Sequence, residues 1–180
     1  KSCFVISYKE RLKYKGEYIM DMACFDDERY ADIQLLKMVE NNNGGLPFYI
    51  RKYSLNANVT TELHRHEYLQ INYICSGKGK HSVNRNDFDI CKGDIFVMPP
   101  YVPHKISAAA DSGIEIIEFE FEPGFVNQSF DSTENIEAFF DFAYIEPFLV
   151  SEKNVKPSLN LSGRIQVDIE DILNEVLKEY

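Results

Sequence analysis

The feature that most constrains this chain is a run of short apolar segments between residues 46 and 125, each bounded by residues that favour turns. The candidate strands are residues 48–53, 68–75, 80–83, 88–90, 94–98, 104–107 and 113–121. Turn-favouring groups such as Ser76-Gly77 and Asp111-Ser112-Gly113 separate them. No helix-length period interrupts the run, so the sequence predicts an antiparallel β-sandwich or barrel.

The segments on either side of this run have helical patterns. Residues 26–39 begin with acidic residues and carry an apolar residue at every third position, which predicts a short amphipathic helix. A second helix is predicted at residues 131–140 and a third from Ser162 onward. We therefore divide the chain of 180 residues into an N-terminal arm with a short helix (1–45), a β-barrel (46–125) and C-terminal helices (126–180).

The last of these helices has the clearest apolar stripe in the chain, with apolar residues at steps of three and four. Such a stripe either packs on the barrel or forms the interface of a homodimer, and the pattern alone leaves both interpretations open. The residues predicted for a dimer interface are Ile165, Ile169, Ile172, Leu173, Val176 and Leu177.

Charge and cysteine usage limit the class of protein. The formal net charge is −10, with 29 acidic against 19 basic residues, which argues against nucleic-acid binding by this segment. The 4 cysteines lack a C-x-x-C spacing, which favours reduced thiols in a cytoplasmic protein. No apolar run is long enough for a membrane span, so no membrane partner is expected. The chain opens without Met and ends within a predicted helix, so we expect it to be an excerpt of a longer protein.

Polar residues that could bind a ligand or a metal are concentrated in one predicted strand. Side chains alternate between the two faces of a strand, so five residues at alternate positions share a face: His64, His66, Tyr68, Gln70 and Asn72. A solvated face normally carries Lys and Glu instead. The pattern therefore favours a cavity with a polar lining over an exposed sheet face.

A second cluster lies downstream, between Gly93 and His104. Pro99, Pro100 and Pro103 predict a rigid loop at a strand end, because proline cannot donate a ladder hydrogen bond. His104 then begins the next predicted strand and is the third candidate histidine.

Together the two clusters resemble the paired motifs of the cupin superfamily. The first motif maps onto His64, His66, Gln70 and Gly77, and the second onto Gly93, Pro99 and His104. The resemblance implies a double-stranded β-helix, a jelly-roll barrel in which three histidines and an acidic residue hold a metal. Two positions depart from the family pattern: Gln70 replaces the acidic ligand, and Ala108 stands where an Asn is expected.

The amino-acid sequence of the second motif, together with the helices that follow the strands, is most similar to the N-terminal sensing domains of AraC-type transcription regulators. This resemblance implies a domain that binds a small polar metabolite or sugar and forms a homodimer. It implies DNA contact only through a C-terminal domain, and these 180 residues contain no basic helix-turn-helix pattern. We predict no required cofactor, and predict these ligand contacts: His64, His66, Tyr68, Gln70, Asn72 and His104.

The alternative function is a metal-dependent cupin enzyme of the dioxygenase or isomerase type. Three neutral imidazoles could hold zinc or nickel and leave one position open. A neutral amide is a poorer ligand than a carboxylate, which weighs against this alternative. The residues that would bind the metal are His64, His66, Gln70 and His104.

Overall fold

The computed structural model describes residues 30–38, 48–83, 86–98, 100–121 and 158–180. Within these residues the chain forms a series of strands followed by a single helix. The strands are β1 (Gln34–Leu36), β2 (Phe48–Leu55), β3 (His64–His66), β4 (Leu69–Val83), β5 (Asn86–Cys91), β6 (Asp94–Met98), β7 (His104–Ala108), β8 (Ile114–Phe121) and β9 (Leu159–Asn160). The helix, α1, is Gly163–Glu179.

The strands form two sheets that share the long strand β4. Sheet 1 has the order β1-β3-β7-β4-β5, and sheet 2 has the order β2-β8-β4-β6-β9. All pairings are antiparallel except that of β1 with β3. The predicted antiparallel β-barrel is therefore confirmed.

The strand β4 joins the two sheets by bending in its middle. Its first half, through Gly77, pairs within sheet 2, and its second half pairs within sheet 1. Gly77 has φ +82°, and a Cβ there would lie 1.9 Å from the backbone oxygen of Gly113, so only glycine fits. The sequence predicted two separate strands with a turn at Ser76-Gly77. That prediction was wrong, because the glycine bends one continuous strand.

One apolar core fills the inside of the barrel. It contains residues of both sheets, which shows that their inner faces meet: Ile74, Val83, Ile90, Phe96, Met98, Val102, Ile106, Ala108, Ile114 and Ile116. Since side chains alternate along a strand, residues two positions from these also face inward. This assigns Asn72, His81, His104 and Glu118 to the interior, at one end of the apolar core.

A second core lies on the outside of sheet 2, where α1 covers the barrel. Leu173 packs with Ile50, Tyr73 and Ile117, and three further helix residues join this cluster: Ile169, Val176 and Leu177. The side chains of Ile165 and Ile172 remain 64% and 53% exposed. The predicted helix is confirmed, and four residues of the proposed dimer interface already contact the barrel of their own chain. The dimer itself stays a prediction.

The predicted N-terminal helix was wrong where the structure describes it. Residues 34–36 form strand β1, which pairs in parallel with β3 in the register Gln34↔His64. Backbone pairing with a neighbouring strand outweighs the weak helical pattern of this short segment. Residues 26–29 and the breaker run at 41–45 lie outside the described residues, as does the helix predicted at 131–140. Within the described parts of the chain, no helix is long and apolar enough to cross a membrane.

Candidate functional site

The three predicted histidines lie together inside the barrel. His64 and His66 come from β3, and His104 lies opposite His64 on the neighbouring strand β7. The ring centroid of His104 is 4.4 Å from that of His64 and 5.1 Å from that of His66. The centroids of His64 and His66 are 6.4 Å apart. Two separate stretches of sequence therefore supply one cluster of imidazoles.

The fourth histidine of the chain also belongs to this cluster, although the sequence analysis did not select it. His81 Nε2 lies 3.2 Å from His104 Nδ1, at hydrogen-bonding distance, and its ring stacks on Phe96 with a centroid separation of 4.3 Å. A sequence signal existed, because His81 alternates with Val83 on one face while Lys80 and Ser82 occupy the other. All 4 histidines thus meet in the barrel.

The tautomers of two histidines follow from their partners. His66 Nδ1 lies 2.6 Å from the carbonyl oxygen of Tyr68, and His64 Nδ1 lies 2.9 Å from that of Glu62. A carbonyl oxygen only accepts a hydrogen bond, so both Nδ1 atoms donate. In the neutral rings, Nε2 of His64 and of His66 therefore carries a lone pair and acts as an acceptor.

Burial keeps these imidazoles neutral at physiological pH. It lowers the pKa of His66 to about 3 and that of His81 to about 3, because the charged ring would lose its hydration. The pKa of His104 also lies well below its ordinary value, through burial and the neighbouring histidines. Burial lowers the pKa of His64 too, although its bond to the carbonyl of Glu62 opposes the shift.

The remaining predicted contacts adjoin the histidines. The ring of Tyr68 stacks on His66 at a centroid distance of 4.6 Å, and its hydroxyl donates to Glu120 Oε1 over 3.0 Å. Asn72 Nδ2 donates to Gln70 Oε1 over 2.8 Å. Apart from the half-buried His64, the predicted contact residues are each at most 2% exposed. The predicted polar lining is present, while its role in ligand binding stays a prediction.

Two buried carboxylates complete the polar interior and were missed from the sequence. Glu118 and Glu120 of β8 are 3% and 1% exposed, and they pair in register with Asn72 and Gln70 of β4. Arg51 on β2 approaches Glu118 to 2.6 Å. Glu118 and Glu120 lie on the same face of β8 as Ile114 and Ile116, since all four are two residues apart along the strand. This spacing could have indicated from the sequence that the two glutamates face inward.

Three buried atoms in this interior have no hydrogen-bond partner within the described chain: His66 Nε2, His104 Nε2 and Asn72 Oδ1. Polar atoms that are both buried and unpaired are uncommon in proteins, because each costs about 1–3 kcal/mol of stability. A bound molecule that supplied the missing partners would remove that cost. These atoms mark where such a molecule would be held.

The fit of a metal to these residues is mixed. Two imidazoles donate Nδ1–H to backbone carbonyls, as metal-binding histidines commonly do. However, Gln70 Oε1 already accepts a bond from Asn72. Among the described residues, no group of three or more His, Cys, Asp or Glu side chains is arranged to hold a metal ion. The zinc or nickel site stays a prediction.

Comparison with known families and curated proteins gives two matches. The family model of the AraC-like ligand binding domain matches residues 48–166 of this chain. An uncharacterized protein of Methanocaldococcus jannaschii is 32% identical over 78 residues, which cover 43% of this chain and 59% of that protein. The match therefore spans less than two thirds of the curated relative.

Solved structures that resemble this chain include cupin barrels. A cupin protein from Bacteroides fragilis is 25% identical, with a TM-score of 0.43, over 48% of this chain and 72% of its own. ToxT from Vibrio cholerae, crystallised with (E)-4-(8-methylnaphthalen-1-yl)but-3-enoic acid, is 12% identical with a TM-score of 0.52. That match covers 73% of this chain and 49% of ToxT. At this identity the likeness is one of fold alone.

Proposed function

This chain belongs to the family of AraC-like ligand-binding domains, and from that premise we propose that its barrel interior binds a small polar metabolite or sugar as the effector of a transcription regulator. The effector would contact the imidazole, amide and phenol groups that line one end of the interior. The proposed contacts are His64, His66, Tyr68, Gln70, Asn72 and His104.

The observation that carries this proposal is the group of unpartnered polar atoms on His66, Asn72 and His104. A barrel stabilised only by packing would fill this region with apolar side chains, as it does around Ile74 and Ile116. Here the interior instead keeps hydrogen-bonding atoms that have no partner among the described residues. Such atoms favour a ligand site, because a small number of polar groups that converge in a partly apolar cavity is typical of small-molecule binding sites.

Regulation would follow from a shift between conformations. Effector binding in the barrel would favour one arrangement of the dimer and so reposition DNA-binding domains belonging to the rest of the regulator. The exposed residues Ile165 and Ile172 of α1 support a homodimer contact through this helix. The free thiols of the two described cysteines, Cys75 and Cys91, and the acidic charge agree with a cytoplasmic regulator whose DNA contact lies in another domain.

Isothermal titration calorimetry with a panel of sugars and polar metabolites tests the proposal. We expect Asn72→Ala to weaken the binding of the tightest compound at least about tenfold, because a buried hydrogen bond is lost. Asn174→Ala is the matched control, since Asn174 lies on the exposed surface of α1 and its Nδ2 donates to the backbone oxygen of Glu170 in the same helix. Equal affinity in the wild type and in Asn72→Ala would contradict the proposal, provided that circular dichroism shows both variants folded.

The metal-dependent enzyme stays the alternative because Nε2 of His64 and of His66 is free of protons. Those two atoms with His104 would hold the ion and leave a position open for substrate. Elemental analysis of protein purified without an affinity tag separates the two functions. We expect well below one metal per chain, and a stoichiometric zinc or nickel content would favour the enzyme.

A further inference from the structure

Two of the three buried atoms that lack a partner among the described residues can only accept a hydrogen bond. His66 Nε2 carries a lone pair, because the single proton of the neutral ring lies on Nδ1, which donates to the carbonyl oxygen of Tyr68. Asn72 Oδ1 is an amide oxygen, and Nδ2 of the same amide donates to Gln70 Oε1. A molecule that satisfies these two atoms must therefore donate a hydrogen bond to each of them.

The role of the third atom, His104 Nε2, depends on the neighbouring His81. His104 Nδ1 lies 3.2 Å from His81 Nε2, and a hydrogen bond between them needs a proton on one nitrogen and a lone pair on the other. If His81 Nε2 holds the proton, His104 carries its own proton on Nε2 and can donate to a ligand. If His104 Nδ1 holds it, His104 Nε2 has only a lone pair. Each ring is neutral in both arrangements, so they differ in tautomer and not in charge.

The surroundings of His104 favour the first arrangement. Its ring centroid lies 4.4 Å from that of His64 and 5.1 Å from that of His66. Nε2 of both neighbouring rings carries a lone pair, because each Nδ1 donates to a backbone carbonyl. A lone pair on His104 Nε2 would add a third to this cluster, and partial charges of the same sign repel one another. A proton on His104 Nε2 removes this repulsion and adds no net charge.

We propose that His81 donates to His104 and thereby leaves a proton on His104 Nε2. The effector then binds through hydroxyl groups, which accept from His104 Nε2 and donate to His66 Nε2 and Asn72 Oδ1. This inference rests on the proposed function and specifies the ligand class of the same site. A hydroxyl group both donates and accepts, so it fits a site that offers both kinds of partner.

Other ligand classes fit this arrangement less well. A carboxylate or an ether only accepts hydrogen bonds, so it would leave His66 Nε2 and Asn72 Oδ1 buried and unpaired. A metal ion binds lone pairs, so it would require the other tautomer of His104. The proposed tautomer therefore distinguishes a site for hydroxyl compounds from a site for organic acids or for a metal.

Nitrogen NMR of the ligand-free chain, labelled with ¹⁵N in histidine, tests the tautomers. A ring nitrogen that carries a proton resonates well apart from one that carries a lone pair, and His81→Gln and His104→Gln assign the two rings. We expect a proton on Nε2 of both His81 and His104, with this form of His104 at least about tenfold in excess. His66, whose proton lies on Nδ1, is the internal reference for the opposite tautomer. A proton on His104 Nδ1 would overturn the inference and leave the proposed function standing.

The donation by His81 is tested with His81→Phe, which keeps a ring against Phe96 but offers no hydrogen-bond donor. The Nδ1 signal of His104 should move downfield, because a lone-pair nitrogen has lost its hydrogen bond. Ser107→Ala is the matched control, since Ser107 lies on the same strand as His104 but faces outward, where Thr60 Oγ1 donates to it over 3.0 Å. It should leave the His104 signals unchanged. An unchanged Nδ1 signal in His81→Phe would contradict the donation, and the wild-type spectrum decides the tautomer if that variant does not fold.

Two sets of matched compounds test the ligand class by calorimetry on the wild-type chain. The first set is glucose, glucuronate and 6-O-methylglucose, and the second is propane-1,2-diol, lactate and 1-methoxypropan-2-ol. In each set one hydroxyl-bearing end is replaced by a carboxylate or by a methyl ether, so the ether separates the loss of a donor from the gain of a charge. We expect the parent compound of at least one set to bind at least about tenfold more tightly than both of its derivatives.

The possible failures have different meanings. Equal or tighter binding of a carboxylate or an ether in both sets overturns the ligand class and leaves the proposed function standing. Zinc ions that bind and move the proton of His104 to Nδ1, while no hydroxyl compound binds, overturn it in favour of a metal site. If all six compounds bind more weakly than about 10 mM, the ligand class is overturned, and the wider effector panel then decides the proposed function separately.

Discussion

At the scale of single residues, the interior is built from groups that would ordinarily be charged or hydrated. Four histidines remain neutral because burial penalises their charged form. Their lone pairs are thereby available for ligands. Because the folded state keeps these rings unprotonated, the fold loses stability at acid pH. The same burial thus explains both the chemistry of the site and its response to pH.

The stability of the fold should fall as the pH drops below the ordinary histidine pKa of 6.5. The unfolded chain protonates each histidine near that value, whereas folded His81 protonates only near pKa 3. Between these limits the unfolded state binds more protons, so each such histidine lowers the free energy of unfolding by up to about 1.4 kcal/mol per pH unit.

Urea denaturation from about pH 6.5 to about pH 5 measures this dependence. Comparison of the wild type with His81→Gln isolates one histidine, and the variant should show a slope smaller by about 1 kcal/mol per pH unit. Identical slopes would contradict this, because they would mean that His81 has the same pKa in the folded and the unfolded protein.

At the scale of secondary structure, β4 connects the site to the outer helix. Gln70 and Asn72 face the interior, while Tyr73 faces α1 on the other side of the same strand. The Tyr73 hydroxyl donates to Glu170 Oε1 over 2.5 Å, and Gln166 Nε2 donates to the same oxygen over 2.9 Å. Lys92 lies 3.6 Å from Glu170. This polar junction holds α1 on the barrel beside the candidate site.

Tyr73→Phe should weaken the attachment of α1 without changing the barrel interior. Loss of a hydrogen bond to a charged carboxylate costs about 1.5–3 kcal/mol, and the partly solvated position of Glu170 places the expected loss near the lower value. Hydrogen exchange followed by mass spectrometry should show faster exchange in residues 163–179. Tyr180→Phe, which keeps the ring contact with Phe48, is the matched control. Unchanged exchange in Tyr73→Phe would mean that apolar packing alone holds the helix.

At the scale of the whole molecule, apolar packing and polar chemistry occupy different parts of the protein. The apolar core fills one end of the barrel, the polar cluster lies at the other, and α1 covers the outside of sheet 2. Sheet 2 is therefore buried on its inner face and, around Ile50, Tyr73 and Ile117, on its outer face as well. The helix still exposes Ile165 and Ile172, which is the surface that the proposed dimer would use.

The sequence predicted what depends on local pattern. Period-two alternation was enough to place His66, Gln70 and Asn72 on one face, and the proline loop was enough to set His104 apart as a strand start. His81 and Glu118 were missed because their role depends on which strands are neighbours, and strand register is not visible in a single sequence. Strand β1 was missed for the same reason, since its partner β3 lies almost thirty residues away.

The central claim is that a ligand occupies the interior where the histidines meet, and nitrogen NMR of the imidazole rings tests it most directly. With only 4 histidines, a sample labelled with ¹⁵N in histidine resolves each ring. Saturation with the tightest compound from the calorimetric panel should shift the Nε2 signal of His66 and His104, while His66 keeps its proton on Nδ1. A compound that binds at saturation and leaves all four rings unchanged would place the ligand elsewhere and contradict this account.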